Sequence, residues 1–302
     1  MPGKKYLIVL AGPTGVGKTD VAMQMAKHFQ AEIISADARQ FYRELNIGTA
    51  KPTSSQLIEV THHFINSFSI HDAYDVRKFE TDVISLLGEL HEKQNIVILC
   101  GGSGLFIQAV LNGMDELPAS DPEIRKMLDE KLRKDGIGAL QDLLQDKDPE
   151  YFMNIDRQNP HRIIRALEVC MITGQKYSEL RRNVSAKRNF VPINIYLNLD
   201  RETLYERINR RVDVMMQQGL LEEAKRFYPY KKLPALNTLG YKELFAYEEG
   251  KMDLQSAVER IKQNTRNYAK RQGTWFKKYF QGKEFSPADI ELILKHVEEE
   301  MR

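Results

Sequence analysis

Residues Gly12, Pro13, Thr14, Gly15, Val16, Gly17, Lys18 and Thr19 read GPTGVGKT and satisfy the phosphate-loop pattern GxxxxGK[ST]. Its four fixed positions are met by chance in roughly one chain in a hundred of this length. The neighbours fit as well. Tyr6 to Leu10 is an apolar run ending at the glycines, and Thr19 to Phe29 carries Val21, Ala22, Met25, Ala26 and Phe29 at helical spacing. Strand, glycine loop and helix in that order predict an α/β fold: a P-loop-type parallel sheet flanked by helices. Glycines let the backbone approach an anion, successive N–H groups and the helix N-terminus point at it, Lys18 adds charge, and the Thr19 hydroxyl is placed for Mg²⁺.

The rest of the chain extends that pattern. Glu32 to Ser35 is a second strand running into Ala36 and Asp37, so Asp37 is expected at the carboxyl edge of the sheet, where open α/β sheets bind ligands. Asn46 to Pro52 has loop composition, and His62 to Phe68 reads as a short edge strand. Asp75 to Gln94 has helical spacing and leads to a third strand, Ile96 to Cys100, which ends in Gly101, Gly102, Ser103 and Gly104. A motor-type NTPase would carry a Mg²⁺-supporting Asp there, so that class is disfavoured. From Leu117 the pattern turns wholly helical. Ser120 or Asp121 can cap a helix begun by Pro122 and ended by Gly136; Asn159, Pro160 and Gly174 bracket another. A fourth strand, Val191 to Leu199, then restores the α/β pattern, with Asp200 as helix cap and a helix from Arg201 to Gln218. The expected organisation is a discontinuous core, 1–116 and 191–302, interrupted by an all-helical domain at 117–190.

Charge is segregated although the net charge is only +2. Asp115 to Glu150 holds eleven acids against six bases, whereas Arg157 to Phe190 holds eight Lys/Arg against two Glu. The last long helix, Asp253 to Phe280, carries Arg260, Lys262, Arg266, Lys270, Arg271, Lys277 and Lys278 with little acid. Its Ile261, Tyr268, Trp275 and Tyr279 fall on one stripe, the expected buried face, and the bases are expected to meet phosphates. The two cysteines, Cys100 and Cys170, lie in apolar stretches and do not suggest a disulfide framework. Without a membrane-length apolar run or a signal-peptide pattern, a soluble cytoplasmic protein is expected, and a monomer.

A phosphate loop beside a strand-end Asp suits transfer to a nucleophile that must lose a proton, with Asp37 taking it. Asp37 could equally cap the next turn. Arg207 and Arg211, four apart on a helix, share a face and can neutralise a phosphate leaving group, or form a solvated pair. Ser103 either offers its hydroxyl to substrate or marks glycine-rich packing. A small-molecule kinase and a phosphate-leaving-group transferase acting on a larger partner both remain open; the basic helical segments favour RNA.

The chain resembles the tRNA dimethylallyltransferases over nearly its whole length. The matching stretches are GPTGVGKT at 12–19, SADARQFY at 35–42, IGTAKP at 47–52, GGSGLFIQAVLNG at 101–113, NPHRIIRALEV at 159–169, LDRETLYERINRRVDVM at 199–215, LGYKE at 239–243 and AKRQGTW at 269–275. The resemblance implies transfer of a dimethylallyl group from its diphosphate to N6 of adenosine 37 in tRNAs that read codons beginning with U. The loop, residues 12–19, would then hold a prenyl diphosphate with Mg²⁺ through Thr19, and Arg211 would match the pyrophosphate arginine. Asp37 would accept the N6 proton and Ser103 would touch the adenine. By the same similarity Asp37, Ala38, Arg39, Gln40, Arg125, His161, Arg162, Ile163, Ile164, Arg165, Gly240, Tyr241, Lys242, Lys270, Arg271 and Gln272 would hold the anticodon stem-loop. Ala38 stands where many members have Ser, and Ser103 where Thr is frequent. Prenylation of free adenine nucleotides is the alternative activity, and a non-catalytic RNA-binding protein the alternative class.

Overall fold

A computed structural model describes residues 3–181 and 185–302. The chain forms two compact units, Met1–Leu111 with Lys187–Arg302, and Asn112–Ala186. The divisions fall at 111/112 and 186/187 rather than 116/117 and 190/191. Arg188 explains the second: its guanidinium binds Glu80 at 2.6 Å and the Ala109 carbonyl at 2.8 Å, both in the first unit.

The first unit is built on a six-stranded sheet: β1 (Tyr6–Ala11), β2 (Ile33–Ser35), β3 (His62–His63), β4 (Ile96–Gly101), β5 (Val191–Leu197) and β6 (Lys283–Phe285). Its order is β3-β2-β4-β1-β5-β6 with every pairing parallel. All six residues of β1 are buried because helices cover both faces. Alternation sends Tyr6, Ile8 and Leu10 to one side, against Val21, Met25, Ile293 and Val297, and Leu7, Val9 and Ala11 to the other, against Phe79, Val83 and Phe276. Flanking β1 by β4 and β5 aligns Ala11 with Gly101 and with Tyr196. The loops that leave these strands therefore converge at one edge.

Two expectations change. The edge strand anticipated over His62–Phe68 stops after two residues, because Phe64 (φ 60°) and Asn66 (φ 57°) turn left-handed and break the ladder. The buried stripe of the Leu254–Tyr279 helix is Ala257, Ile261, Ala269, Gln272 and Phe276; Tyr279 is instead 49% exposed. Two bases of this helix have protein partners: Lys262 binds Asp213 at 2.8 Å and Arg266 binds Asn209 Oδ1 at 2.5 Å.

The second unit is entirely helical. Asp121 caps the Pro122–Lys147 helix through the Glu123 and Ile124 amides, and Gly136 (φ 77°) kinks it in its middle. Asn159 and the left-handed Gly174 bound the Pro160–Thr173 helix. Their shared core includes Leu128, Leu140, Leu144, Ile163, Ile164 and Leu167. Within it lies a fully buried carboxylate, Glu168, which accepts hydrogen bonds from the Ser120 hydroxyl, the Asp121 amide (3.0 Å) and Arg165 (2.8 Å), with Arg125 at 3.4 Å. Removing one side of such a cluster leaves charges uncompensated. Glu168→Ala should therefore destabilise this unit by roughly 3 kcal/mol, measurable as a lower denaturant midpoint.

Candidate active site

The helix Lys18–Phe29 begins at Gly17 without a side-chain cap, so its first amides remain available to an anion. Gly15 (φ 83°) and Gly17 (φ 108°) hold a loop conformation that residues with a Cβ resist. Lys18 folds over this loop and donates to the Gly12 carbonyl (2.9 Å) and the Pro13 carbonyl (2.8 Å). Burial pushes its ammonium down to about 8, from an ordinary 10.5. Thr14 is held twice, its amide by Gln272 Oε1 at 2.9 Å and its hydroxyl by Arg211 at 3.3 Å.

One cavity of about 290 Å³ joins this loop to the ends of β2 and β4 and to the Arg201–Gln217 helix. Lys18, Thr19, Asp37, Arg207, Arg211 and Tyr268 line it. Asp37 Oδ1 accepts the amides of Arg39 (2.9 Å) and Gln40 (3.3 Å), while Oδ2 has no hydrogen-bond partner among the described residues. Asp37 thus caps the turn with one oxygen and leaves the other unbonded among the described residues. Ser103 Oγ accepts the Ala38 amide at 3.1 Å, tying the β4 loop to the β2 loop. Burial lowers the Arg211 pKa, opposed by Asp37. Arg207 makes no ion pair among the described residues, and its guanidinium lies beside Gly17, where a Cβ would sit 3.1 Å from Nη2. The Thr19 hydroxyl also has no internal partner among the described residues. Asp200 accepts the Thr203 amide at 2.9 Å, as a helix cap should.

Several residues expected to touch RNA are otherwise engaged. Gln272 is buried, with its amide nitrogen on the Gly102 carbonyl (2.7 Å) and its oxygen on Thr14; it braces the phosphate loop. Gln40 binds the Thr49 and Ala50 carbonyls and the Ser35 hydroxyl. Tyr241 is fully buried and donates to Glu223, which also accepts the Asn46, Ile47 and Gly48 amides. The Gly240 amide is taken by Glu243 Oε2 at 2.9 Å. Ile163 and Ile164 are core side chains, and Arg165 and Arg125 hold Glu168. His161, Arg162, Lys242, Lys270 and Arg271 are exposed; Arg39 is partly exposed and Ala38 lies between Asp37 and Arg39. Arg182, in the basic segment, lies outside the described residues. Sequence reasoning passed over Tyr268 as a cavity residue, although its place one turn before Gln272 marks the same helical face. Burial and the nearby Asp37 push its phenol up to about 12. Gln272→Ala should weaken binding of inorganic pyrophosphate roughly 10- to 100-fold by releasing Thr14, read by calorimetry with the circular dichroism spectrum unchanged.

A phosphate loop, two arginines and a carboxylate lining one cavity are the parts of a phosphate-handling enzyme. The family model for IPP transferases matches residues 40–279, which begins after the phosphate loop, so loop and family are separate observations. The chain is 52% identical over 273 residues to the tRNA dimethylallyltransferase of Christiangramia forsetii, covering 90% of both, and 45% identical over 295 residues to tRNA dimethylallyltransferase 2 of Parabacteroides distasonis, covering 98% of this chain and 99% of that one. The full-length tRNA isopentenylpyrophosphate transferase of Bacillus halodurans has a similar structure, with a TM-score of 0.73, 33% identity and coverage of 99% and 97%. The chain belongs to the IPP transferase family.

Proposed function

We propose that this protein transfers the dimethylallyl group of dimethylallyl diphosphate to N6 of adenosine 37 in tRNAs reading codons that begin with U. The observation that carries the chemistry is Asp37, fixed through Oδ1 and free at Oδ2, on the cavity that the phosphate loop also lines. The allylic carbon–oxygen bond of the donor breaks and a carbon–nitrogen bond to N6 forms. The N6 proton passes to Asp37 Oδ2, and pyrophosphate leaves. An exocyclic adenine amine is a weak nucleophile, so a carboxylate at that nitrogen matters most as the bond forms. Loop amides, Lys18 and Arg211 take the charge that grows on the leaving group, with Arg207 at its edge.

Among the described residues no group of three or more His, Cys, Asp or Glu side chains forms a metal cage. Mg²⁺ does not need one: it keeps waters and binds through few protein oxygens plus substrate phosphates. The unpartnered Thr19 hydroxyl fits that demand and would hold the ion, which supplies charge neutralisation to the diphosphate. Exposed His161 and Arg162 on the helical unit, and Lys242, Lys270 and Arg271 on the α/β unit, are the side chains proposed to meet the RNA backbone. No described helix is long and apolar enough to cross a membrane; an aqueous site of action, in the cytoplasm with the tRNA, is part of this reading.

The test is label transfer from radiolabelled dimethylallyl diphosphate, with Mg²⁺, to an anticodon stem-loop containing A36 and A37, followed by mass spectrometry of the released nucleoside. A gain of one dimethylallyl group at A37 is expected. No transfer by the intact protein, or transfer to AMP in preference to the stem-loop, refutes the assignment.

A further inference from the structure

Two stretches that carry the family resemblance, 47–52 and 239–243, take no chemical step themselves, yet they meet at one buried carboxylate. Glu223 is 7% exposed. Its Oε2 accepts the Ile47 amide at 2.9 Å and the Asn46 amide at 3.3 Å, while its Oε1 accepts the Gly48 amide at 3.0 Å and the Tyr241 hydroxyl. Burial and the adjacent Glu223 push the Tyr241 phenol up, so it stays a donor. The other three donors are consecutive amides at the start of one short turn, Ile47–Thr49, where Asn46 supplies no side-chain cap. Glu223 does that work from another helix, Leu220–Phe227.

The turn it holds is part of the catalytic cavity. Thr49, Ala50 and Pro52 line that cavity together with Asp37 and Gln40. Ala50 ends the turn left-handed (φ 48°), and the Thr49 and Ala50 carbonyls accept Gln40 Nε2 at 3.3 and 3.2 Å. Gln40 in turn gives its backbone amide to Asp37 Oδ1 at 3.3 Å. A continuous path of backbone and hydrogen bonds therefore runs from Glu223 to the carboxylate at the end of β2. Packing fixes the turn from a second direction: Gly48 lies against the Tyr241 ring, where a Cβ would come 2.5 Å from Cε2.

We propose that Glu223 is a positioning residue for proton transfer: by holding the amides of residues 46–48 it fixes the Thr49 and Ala50 carbonyls and, through Gln40, the orientation of the Asp37 carboxylate. The role rests on Asp37 as acceptor of the N6 proton and adds what keeps that acceptor aligned. Glutamine is no substitute, because its NH₂ group would face a donor where the carboxylate offers an acceptor. Displacing a catalytic group by about 1 Å costs on the order of a hundredfold in rate.

Single-turnover label transfer to the stem-loop, at saturating donor and RNA, tests the role. Glu223→Gln should slow it about 10- to 100-fold, with the KM for dimethylallyl diphosphate and the stem-loop affinity unchanged. Gly48→Ala should reproduce that split with Glu223 intact, since its methyl group must lift the turn off Tyr241, and it decides the question if circular dichroism shows Glu223→Gln unfolded. In an Asp37→Asn background neither substitution should cost more than about twofold, because no base remains to be aligned. A purely structural role gives the same loss in both backgrounds. Wild-type rates in the folded variants, or equal losses with and without Asp37, overturn the proposal. Absence of transfer by the wild-type protein refutes the activity and this role with it, whereas transfer slowed by Asp37→Asn but indifferent to both substitutions refutes the role alone.

Discussion

Replacing Asp37 by Asn is expected to lower the rate of dimethylallyl transfer by about 10²- to 10⁴-fold, the range for a general base. The substitution is chosen for what it preserves. Asn keeps an oxygen that can accept the Arg39 and Gln40 amides, so the turn after β2 retains its cap. What it loses is the capacity of the second oxygen to take a proton. Single-turnover label transfer should collapse while stem-loop binding, followed by filter retention of labelled RNA, changes little. A rate within tenfold of wild type would return Asp37 to a purely structural role.

Lys18→Met should lower turnover by roughly 10²- to 10³-fold, because a preorganised charge aimed at the leaving group is lost. The pH dependence makes a sharper test. Burial pushes the Lys18 pKa down to about 8 in the free protein, from 10.5. Below about pH 8 the ammonium is present in the fold and its desolvation opposes folding. Between about 8 and 10.5 the unfolded chain holds the proton more tightly, so this contribution to stability improves as pH rises through that window. Donor binding has the opposite slope, since a diphosphate needs the charged amine. The KM for dimethylallyl diphosphate should therefore rise above pH 8, approaching tenfold per unit, and Lys18→Met should flatten that rise. An identical slope in wild type and variant would remove Lys18 as its source.

Much of this site could be read from sequence because its determinants are local. The phosphate loop is a contiguous motif, β1 and β4 are apolar throughout because both sheet faces are covered, and Asp37 follows directly from a strand end. Helix boundaries at Asp121, Asn159, Gly174 and Asp200 were equally legible, since capping chemistry acts within three residues. Where long-range contacts decide, the reading failed. β6 is three residues with Lys283 and Glu284 exposed, and exists only because its backbone pairs with β5. The helix Ile290–Met301 did carry a signal, Ile290, Ile293, Leu294, Val297 and Met301, that could have announced it. Gln272, Gln40 and Tyr241 show the limit of similarity: it marked their positions but could not say that their polar atoms turn inward, to Thr14, to Ala50 and to Glu223.

The place of β1 at the middle of the sheet sets a timetable for making the protein. It leaves the ribosome before either of its neighbours, since Tyr6 pairs with Ile96 on one side and with Val191 on the other. At typical synthesis rates of 5–20 residues per second, roughly 10–40 s separate the emergence of β1 from that of β5. During that interval an apolar strand has an open flank, while the residues that form the helical unit, whose contacts are short-range, are all made. The nascent chain should be most vulnerable to aggregation, and most dependent on chaperones, before residue 191 is translated.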